Sequence, residues 1–498
     1  MRKTFSLIAV SVWAGAAAAI PAKYEVEIID HTSLYDTFGL GINNSGVVVG
    51  GTNIVVDDED SETRTDDLLS THAFWSTGIG LDDLGAIHLL PQNMGEEDLE
   101  ERHDTQLNAI NDSGIAVGFG DTDSPDDGIN TDHAFYVING GELVDINLAL
   151  NAKKPGGEDP DDITYDCSDI NDSHKRIPDD GNFRVSDVNN DNLLVGQADW
   201  RYGENNDSYN ERAVVYDITN ELLYPIPLIS DPSDSVDDNL DPCHNDSRES
   251  SARHISNSGF VTGYSQIDGE IHAYRYRLPS YQAEGAVEQV TDLHPEELST
   301  GQTGDDVFDI DGWSYGNAVN DQGVVVGMAT THDNTFQAYI YTDSGKMRTI
   351  HPSSDSLDEE ERYSEALDIN NNNQVVGVYK TQDDPEKLTA FIYEHETGSF
   401  ADLNKRIDCS AGVYVGQAKK ILDDGRILVD VQVLPDVVDE NNRPVNRPAI
   451  LTPSEGSASP CLDESEEDDS DSSGGGPIGS WLLLLGSMLC LRRFCVKS

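Results

Sequence analysis

One short acidic stretch has the residue types and spacing that could do chemistry. Carboxylates at Asp121, Asp123, Asp126 and Asp127 alternate with other residues and precede Gly128. Calcium prefers several hard oxygen ligands from a flexible loop, so these four residues form a candidate calcium site. The stretch lacks the full spacing and terminal Glu of an EF-hand loop, and the alternative interpretation is a solvated acidic loop.

No catalytic motif accompanies these carboxylates. The sequence lacks an evident Ser/His/Asp order, an H-E-x-x-H motif or a phosphate-binding glycine loop, so no catalytic or cofactor-binding residue is predicted. With 93 acidic residues some carboxylate pair always lies close, and the pattern alone cannot select one for glycoside chemistry. His72, His133 and His272 recur at equivalent strand starts, and we interpret them as structural residues and not as metal ligands.

The net charge excludes one class of partner. Asp and Glu total 93 against 31 Lys and Arg, which gives a formal net charge of −62. Phosphate binding needs a basic surface, so nucleic acid is not an expected partner.

The two ends of the chain carry predicted targeting signals. Arg2 and Lys3 precede an apolar run and an alanine-rich segment, which predicts a secretory signal peptide over residues 1–22. Signal peptidase is the expected partner, with cleavage after Ala19 and a second candidate at Ala22. The protein should therefore fold outside the cytoplasm.

The C-terminal end combines a tether with an apolar segment. Residues 461–476 are acidic and rich in Ser and Gly, and residues 477–498 contain an apolar stretch followed by Arg492, Arg493 and Lys497. The basic end predicts a cytoplasmic C-terminus. The apolar stretch over 477–491 is shorter than the ~20 residues that cross a bilayer comfortably. Contact with the membrane is expected only through this segment. The segment is either removed by cleavage or, as the alternative, kept as a permanent single-span anchor.

Cysteine usage agrees with an oxidising compartment. Cys490 and Cys495 lie in the C-terminal segment, and four cysteines remain: Cys167, Cys243, Cys409 and Cys461. Sequence alone allows three pairings. Chain proximity favours Cys167–Cys243 and Cys409–Cys461. No C-x-x-C occurs, so neither a zinc site nor a redox motif is expected.

A repeated sequence pattern predicts the strands that position the candidate residues between the two chain ends. Its clearest copy, residues 316–327, has the sequence GNAVNDQGVVVG, and versions recur at 41–50, 107–118, 185–196, 252–263, 366–377 and, more loosely, 417–429. Each copy predicts two short strands joined by an Asn/Asp/Gly turn. A third and a fourth strand follow, so each unit has four antiparallel strands.

About seven such units predict an all-β fold, a β-propeller over residues 23–460. The seventh unit lacks a fourth strand. Before the first unit, the residues from Tyr24 to Ile29 alternate with the period of a strand and belong to no unit. This surplus strand should complete the last blade and close a ring of seven. Six blades is the alternative.

The third strands begin with His-Ala-Phe in two copies and with related triplets in others. With Ile-Asn-x-x-Gly-x-Val-x-Gly, these residues make the chain resemble the HAF-repeat extracellular proteins, a family of unknown function. The tail resembles the GlyGly-CTERM sorting signal of Gram-negative bacteria. That resemblance implies a rhombosortase-type intramembrane protease as a partner, cleavage near Gly474, Gly475 and Gly476, and an inner-membrane intermediate before surface display or secretion.

Function is expected on one face of the propeller. Alternating strand directions place the long acidic insertions together, opposite the short hairpin turns, and long loops on a rigid scaffold commonly carry binding. The leading hypothesis is a non-enzymatic binding or interaction module at the cell surface or outside the cell, with an unknown protein or glycan ligand. The alternatives are an extracellular polysaccharide-active enzyme with carboxylates on the long-loop face, and a calcium-stabilised structural surface protein.

Overall fold

A computed structural model describes most of the chain. The described residues are 19–29, 36–56, 68–78, 80–85, 104–123, 130–151, 181–201, 209–229, 248–267, 269–282, 289–294, 308–309, 312–342, 345–352, 362–381, 387–433 and 445–461. Most of the predicted acidic insertions, the predicted tether and the sorting segment lie outside these ranges. No helix within the described ranges is long and apolar enough to cross a membrane.

The chain forms seven four-stranded antiparallel sheets arranged as the blades of a β-propeller, which confirms the predicted fold and blade number. The first three blades contain β2 (Thr37–Ile42), β3 (Val48–Val56), β4 (Leu68–Ser76) and β5 (Asp82–Gly85); β6 (Thr105–Ile110), β7 (Ile115–Asp123), β8 (Asn130–Ile138) and β9 (Leu143–Asp145); and β10 (Phe183–Val188), β11 (Leu193–Arg201), β12 (Tyr209–Asp217) and β13 (Leu222–Pro225). A short helix, α1 (Ile146–Asn151), follows β9.

The next three blades repeat the order. They contain β14 (Ser250–Ile255), β15 (Phe260–Ile267), β16 (Glu270–Arg277) and β17 (Thr291–Asp292); β18 (Ser314–Val319), β19 (Val325–Thr330), β20 (Phe336–Tyr341) and β21 (Met347–Thr349); and β22 (Ser364–Ile369), β23 (Gln374–Lys380), β24 (Leu388–Glu394) and β25 (Ser399–Asp402). Short 3-10 helices lie at Pro279–Tyr281, Leu403–Arg406 and Cys409–Ala411.

The seventh blade is completed by the N-terminal strand, as predicted. It contains β26 (Val413–Ile421), β27 (Ile427–Val433), β28 (Asn446–Pro453) and β1 (Tyr24–Ile28). The antiparallel register pairs Val26 with Leu451 and Ile28 with Ala449. The first and last parts of the propeller therefore form one sheet.

Polar and covalent contacts fix this closure. Lys23 Nζ lies 2.6 Å from Asp408 Oδ2, and the neighbouring Cys409 forms a disulfide with Cys461. Ser454 N donates to Lys23 O at 3.0 Å. Both ends of the propeller are thus attached to the segment that leads into β26. Cys167 and Cys243 lie outside the described residues, and their pairing stays a prediction.

The hydrophobic core lies between neighbouring blades. One buried cluster combines Val376 and Ile392 of the sixth blade with Val415, Val429 and Leu451 of the seventh. Another combines residues of the second and third blades. Each blade therefore buries both faces of its sheet against its neighbours.

The repeated glycine on the second strand has a packing reason. Each first strand contains a β-bulge that brings a carbonyl oxygen towards this position, and a Cβ on Gly327 would lie 1.9 Å from Tyr315 O. In five blades the same glycine lies opposite a buried aromatic residue of the third strand, as in the pairs Gly327–Tyr339 and Gly50–Phe74. In the third blade Gly196 lies opposite Val214 instead. The glycine motif and the aromatic triplet are consequently two halves of one packing unit.

We predict that Gly327→Ala lowers the free energy of unfolding by about 2–4 kcal/mol, because the added methyl group must displace backbone. Gly416→Ala is the matched control on an inner strand, since its nearest atoms lie 4.0 Å from an added Cβ. Denaturant unfolding of both variants measures the difference. Equal stabilities would contradict this account of the glycine.

A partly buried histidine, His351, connects the fifth blade to the sixth. Ser364 Oγ accepts from Ala338 N at 2.9 Å and forms a second hydrogen bond, 3.0 Å long, with His351 Nδ1. Burial, with the nearby Arg362 charge, lowers the pKa of His351 to about 4. Since the folded pKa is below the unfolded value of about 6.5, this group favours folding above pH 6.5 and loses that contribution between pH 6.5 and 4.

We predict that His351→Asn flattens the pH dependence of unfolding between pH 6.5 and 4 by about 2–3 kcal/mol. Asn147 and Asn404 occupy the equivalent position in two other blades, so asparagine suits the site. His332→Asn, at a half-exposed imidazole, is the control. An unchanged pH profile in His351→Asn would show that another group causes acid destabilisation.

Candidate binding site at the mouth of the central channel

An asparagine ends the inner strand in five of the seven blades and closes the hairpin that follows. Asn320 Oδ1 accepts from Gln322 N at 3.1 Å and from Val324 N at 3.0 Å. Asn43, Asn111, Asn189 and Asn370 make the same two bonds. This Asx turn follows directly from the Ile/Val-Asn motif of the sequence.

The amide nitrogen of the same side chain joins neighbouring blades. Asn43 Nδ2 donates to Asn111 O at 3.1 Å, and Asn320 Nδ2 donates to Asn370 O at 3.1 Å. Where the fourth blade has Ser256 instead, Ser258 Oγ donates to Asp321 O at 2.8 Å. The asparagine therefore couples each of its five turns to the next blade.

The following residue of each turn contributes to a polar ring, which we call the rim. Its members are Asn44, Asp112, Asn190, Asn257, Asp321, Asn371 and Asp423. Backbone N–H groups bond to the side chain of the next member, as from Asn44 to Asp112 at 3.0 Å and from Asn371 to Asp423 at 2.8 Å. Arg426 Nη2 completes the circuit by donating to Asn44 O at 2.8 Å.

Hydrogen bonding favours the ionised form of one rim carboxylate, that of Asp112. Burial acts to raise the pKa of Asp112, but donors from Asn44 and Asn190 hold it below its ordinary value. The rim thus presents carboxylate and amide oxygens in fixed positions.

The rim surrounds a cavity on the propeller axis, which we call the channel mouth. It has a volume of ≈ 180 Å³ and is lined by the inner-strand ends of all seven blades. Because these ends lead into the turns between first and second strands, the mouth opens on the face of the short hairpins. The predicted long-loop face is the opposite one.

Four polar side chains form the base of the mouth, which we call the floor. The residue before Ile/Val-Asn is Gly41, Ala109 or Ala318 in three blades, and the other four provide the floor residues Asp187, His254, Asp368 and Lys420. Sequence reasoning missed this site. One feature of the sequence does indicate it. The residue before Ile/Val-Asn changes from small to polar or charged between copies, while the neighbouring positions of the repeat change little.

Three floor side chains are anchored by backbone donors of the next blade. Ile255 N donates to Asp187 Oδ2 at 2.9 Å, and Ile421 N donates to Asp368 Oδ2 at 2.8 Å. Val319 N donates to His254 Nδ1 at 3.4 Å. Because Nδ1 accepts a hydrogen bond, the neutral ring carries its proton on Nε2, which faces the carboxylates.

The floor groups approach one another without close contact. His254 Nε2 lies 3.5 Å from Asp187 Oδ2 and 3.7 Å from Asp368 Oδ1, and Lys420 Nζ lies 3.9 Å from Asp368 Oδ1. Burial lowers the pKa of His254 below its ordinary value, against the opposing charge of Asp187. The neutral ring can therefore donate a hydrogen bond from Nε2 and has no free nitrogen there to act as a base.

The two predicted calcium residues that the structure describes, Asp121 and Asp123, lie outside the channel mouth. Asp121 is on β7, opposite Asp132 on β8, and burial together with Asp132 raises the pKa of Asp121 to about 7. Asp123 ends the same strand, whereas Asp126 and Asp127 lie outside the described residues. Within the described ranges, no group of three or more His, Cys, Asp or Glu side chains could hold a metal ion. Calcium binding at this stretch stays a prediction.

The repeated histidines connect strands within a blade. His72, His133 and His272 place Nδ1 at 3.1, 2.8 and 2.9 Å from carboxylates of Asp83, Asp145 and Asp292. Each pair joins a third strand to its fourth strand. None of these histidines lines the channel mouth.

We predict that Asn320→Ala destabilises the protein by about 2–4 kcal/mol, because it leaves two backbone N–H groups and one carbonyl without their partner. Asn320→Ser, the residue type of the fourth blade, should cost less. Asn220→Ala, in an exposed turn, is the control and should stay within about 0.5 kcal/mol of wild type. Thermal and denaturant unfolding measure all three, and an Asn320→Ala variant as stable as the control would contradict the coupling role.

Solved structures with a similar chain path include peptidases and the β-propeller domain of a protease. An acylaminoacyl peptidase from Pyrococcus horikoshii matches at 10% identity and a TM-score of 0.41, covering 82% of this chain and 52% of that chain. The propeller domain of the Trilobed protease from Pyrococcus furiosus matches at 8% identity and a TM-score of 0.34, covering 84% and 92%. A protein of unknown function from Dyadobacter fermentans matches at 10% identity and a TM-score of 0.34, covering 87% and 100%.

These likenesses concern the fold alone. The chain spans about half of the length of the peptidases that it resembles. No curated protein sequence matches it. A family model matches residues 14–241 and again residues 225–494, and the chain thus belongs to the family described as "Protein of unknown function (DUF3466)".

Proposed function

We propose that this protein is an exported β-propeller that acts as a non-enzymatic binding module and holds its ligand in the channel mouth. The observation that supports this most is the cavity of ≈ 180 Å³ at the point where seven inner strands meet. Concave sites with a few convergent polar groups are the usual places for ligand binding. The ligand is free or carried by an extracellular protein or glycan.

The chain ends support the cellular address in this proposal. The signal peptide pattern and the glycine-rich tail indicate export by signal peptidase, followed by rhombosortase-type cleavage near Gly474, Gly475 and Gly476. A disulfide between Cys409 and Cys461 suits an oxidising compartment. The mature protein is then displayed on the cell surface or secreted.

Packing favours one of the two candidate signal peptidase sites. Ile20 packs against the buried core of the last blade, whereas Ala19 is exposed. Cleavage after Ala19 keeps Ile20 in the mature protein, and cleavage after Ala22 removes it. This packing supports our proposal that signal peptidase cleaves the bond after Ala19.

A second candidate function is an extracellular polysaccharide-active enzyme. The observation that favours it is the approach of Asp187 and Asp368 to His254, which brings two carboxylates to one cavity. Glycoside hydrolysis uses two carboxylates on opposite sides of the scissile bond. Both carboxylates already accept a backbone hydrogen bond, which suits fixed binding groups.

The double variant Asp187→Asn, Asp368→Asn tests both candidates. Asparagine keeps an oxygen for the N–H groups of Ile255 and Ile421, so the fold should survive while two charged acceptors are lost. Glycan-array and pull-down screening of the exported protein first identifies a ligand. We predict that the double variant binds it about tenfold or more weakly.

A matched control removes two exposed carboxylates, in Asp82→Asn, Asp333→Asn. Binding that is equally strong in both double variants would contradict a site in the channel mouth. Release of reducing ends from a polysaccharide by wild type, abolished only in the mouth variant, would replace the binding proposal with the enzymatic one.

A further inference from the structure

The order of groups on the floor carries information about the ligand. Around the channel, Asp187 of the third blade is an acceptor, His254 of the fourth a donor, Asp368 of the sixth an acceptor and Lys420 of the seventh a donor. We infer that the channel mouth binds a neutral polyhydroxylated group, such as one ring of a sugar or a cyclic polyol. This inference rests on the proposed function.

The floor groups lie too far apart to use their hydrogen-bonding capacity on one another, so this capacity is left for a ligand. At 3.5–3.9 Å, His254 and Lys420 lie beyond normal hydrogen-bond distances from the carboxylates. Backbone donors hold Asp187 and Asp368 in place, so these carboxylates are fixed before a ligand arrives. The floor is therefore a preorganised set of donors and acceptors.

A hydroxyl group matches this set. It donates one hydrogen bond and accepts others, so one hydroxyl can donate to Asp368 and accept from Lys420. A neighbouring hydroxyl can donate to Asp187 and accept from Nε2 of His254. Adjacent hydroxyls on one small ring repeat this alternation, which an amine or a carboxylate alone does not.

The charges in the mouth disfavour an anionic ligand. Carboxylates of Asp112, Asp321 and Asp423 on the rim join two on the floor, so a free anion is repelled. The same carboxylates attract a cation, and on the floor the Lys420 ammonium beside Asp368 opposes its entry. Among the described residues that line the mouth there is no Phe, Tyr or Trp, so recognition relies on hydrogen bonds and not on stacking.

Lys420→Met provides the test, because methionine keeps an unbranched apolar stem and removes the ammonium donor. Lys405→Met is the matched control, since its side chain is 66% exposed and it is absent from the mouth lining. Myo-inositol, D-glucose and D-galactose are the neutral probes, and spermidine is the cationic probe. Saturation-transfer NMR and calorimetry on the exported protein measure binding, and circular dichroism checks the fold of each variant.

We expect at least one neutral probe to bind wild type and Lys405→Met equally, and to bind Lys420→Met roughly tenfold more weakly. Spermidine should bind weakly or not at all. If spermidine alone binds, and binds Lys420→Met more tightly than wild type, the polyol inference is wrong while the mouth remains a binding site. A neutral probe that binds all three proteins equally is bound elsewhere and also overturns the inference. If a ligand from the screen binds independently of Asp187, Asp368 and Lys420, the proposed function fails as well.

Discussion

The propeller depends on one side chain that serves three backbone groups at once. Asn320 accepts from two N–H groups of its own hairpin and donates to a carbonyl of the next blade. Four other blades use the same asparagine, and the rim lies directly beyond it. Turn closure, blade spacing and the shape of the channel mouth are therefore consequences of a single local arrangement.

The same arrangement explains why the fold could be predicted from the sequence. Glycine and aromatic positions recur because Gly327 lies opposite Tyr339 and against the bulged first strand, and this requirement is local to each blade. The strand from Tyr24 to Ile29 could be assigned because the last unit lacked one strand. Each of these features is visible within one repeat or as a deficit between repeats.

The binding site could not be predicted in this way. Asp187, His254, Asp368 and Lys420 are far apart in the chain, and only closure of the ring brings them to one cavity. Their side chains also differ from the repeat consensus, so the pattern that revealed the blades hid the floor. The acidic composition instead favoured Asp121 and the long insertions, where carboxylates are abundant.

The strongly acidic composition of the chain does not describe the floor of the channel mouth. The chain carries a formal net charge of −62, yet the floor places a neutral imidazole and an ammonium between carboxylates.

Soaking crystals of the exported protein with a neutral polyol tests the central claim most directly. The account predicts electron density in the channel mouth, with hydroxyls within hydrogen-bond distance of Asp368 and Lys420. Density only among the loops of the opposite face, with the mouth filled by water, would contradict it.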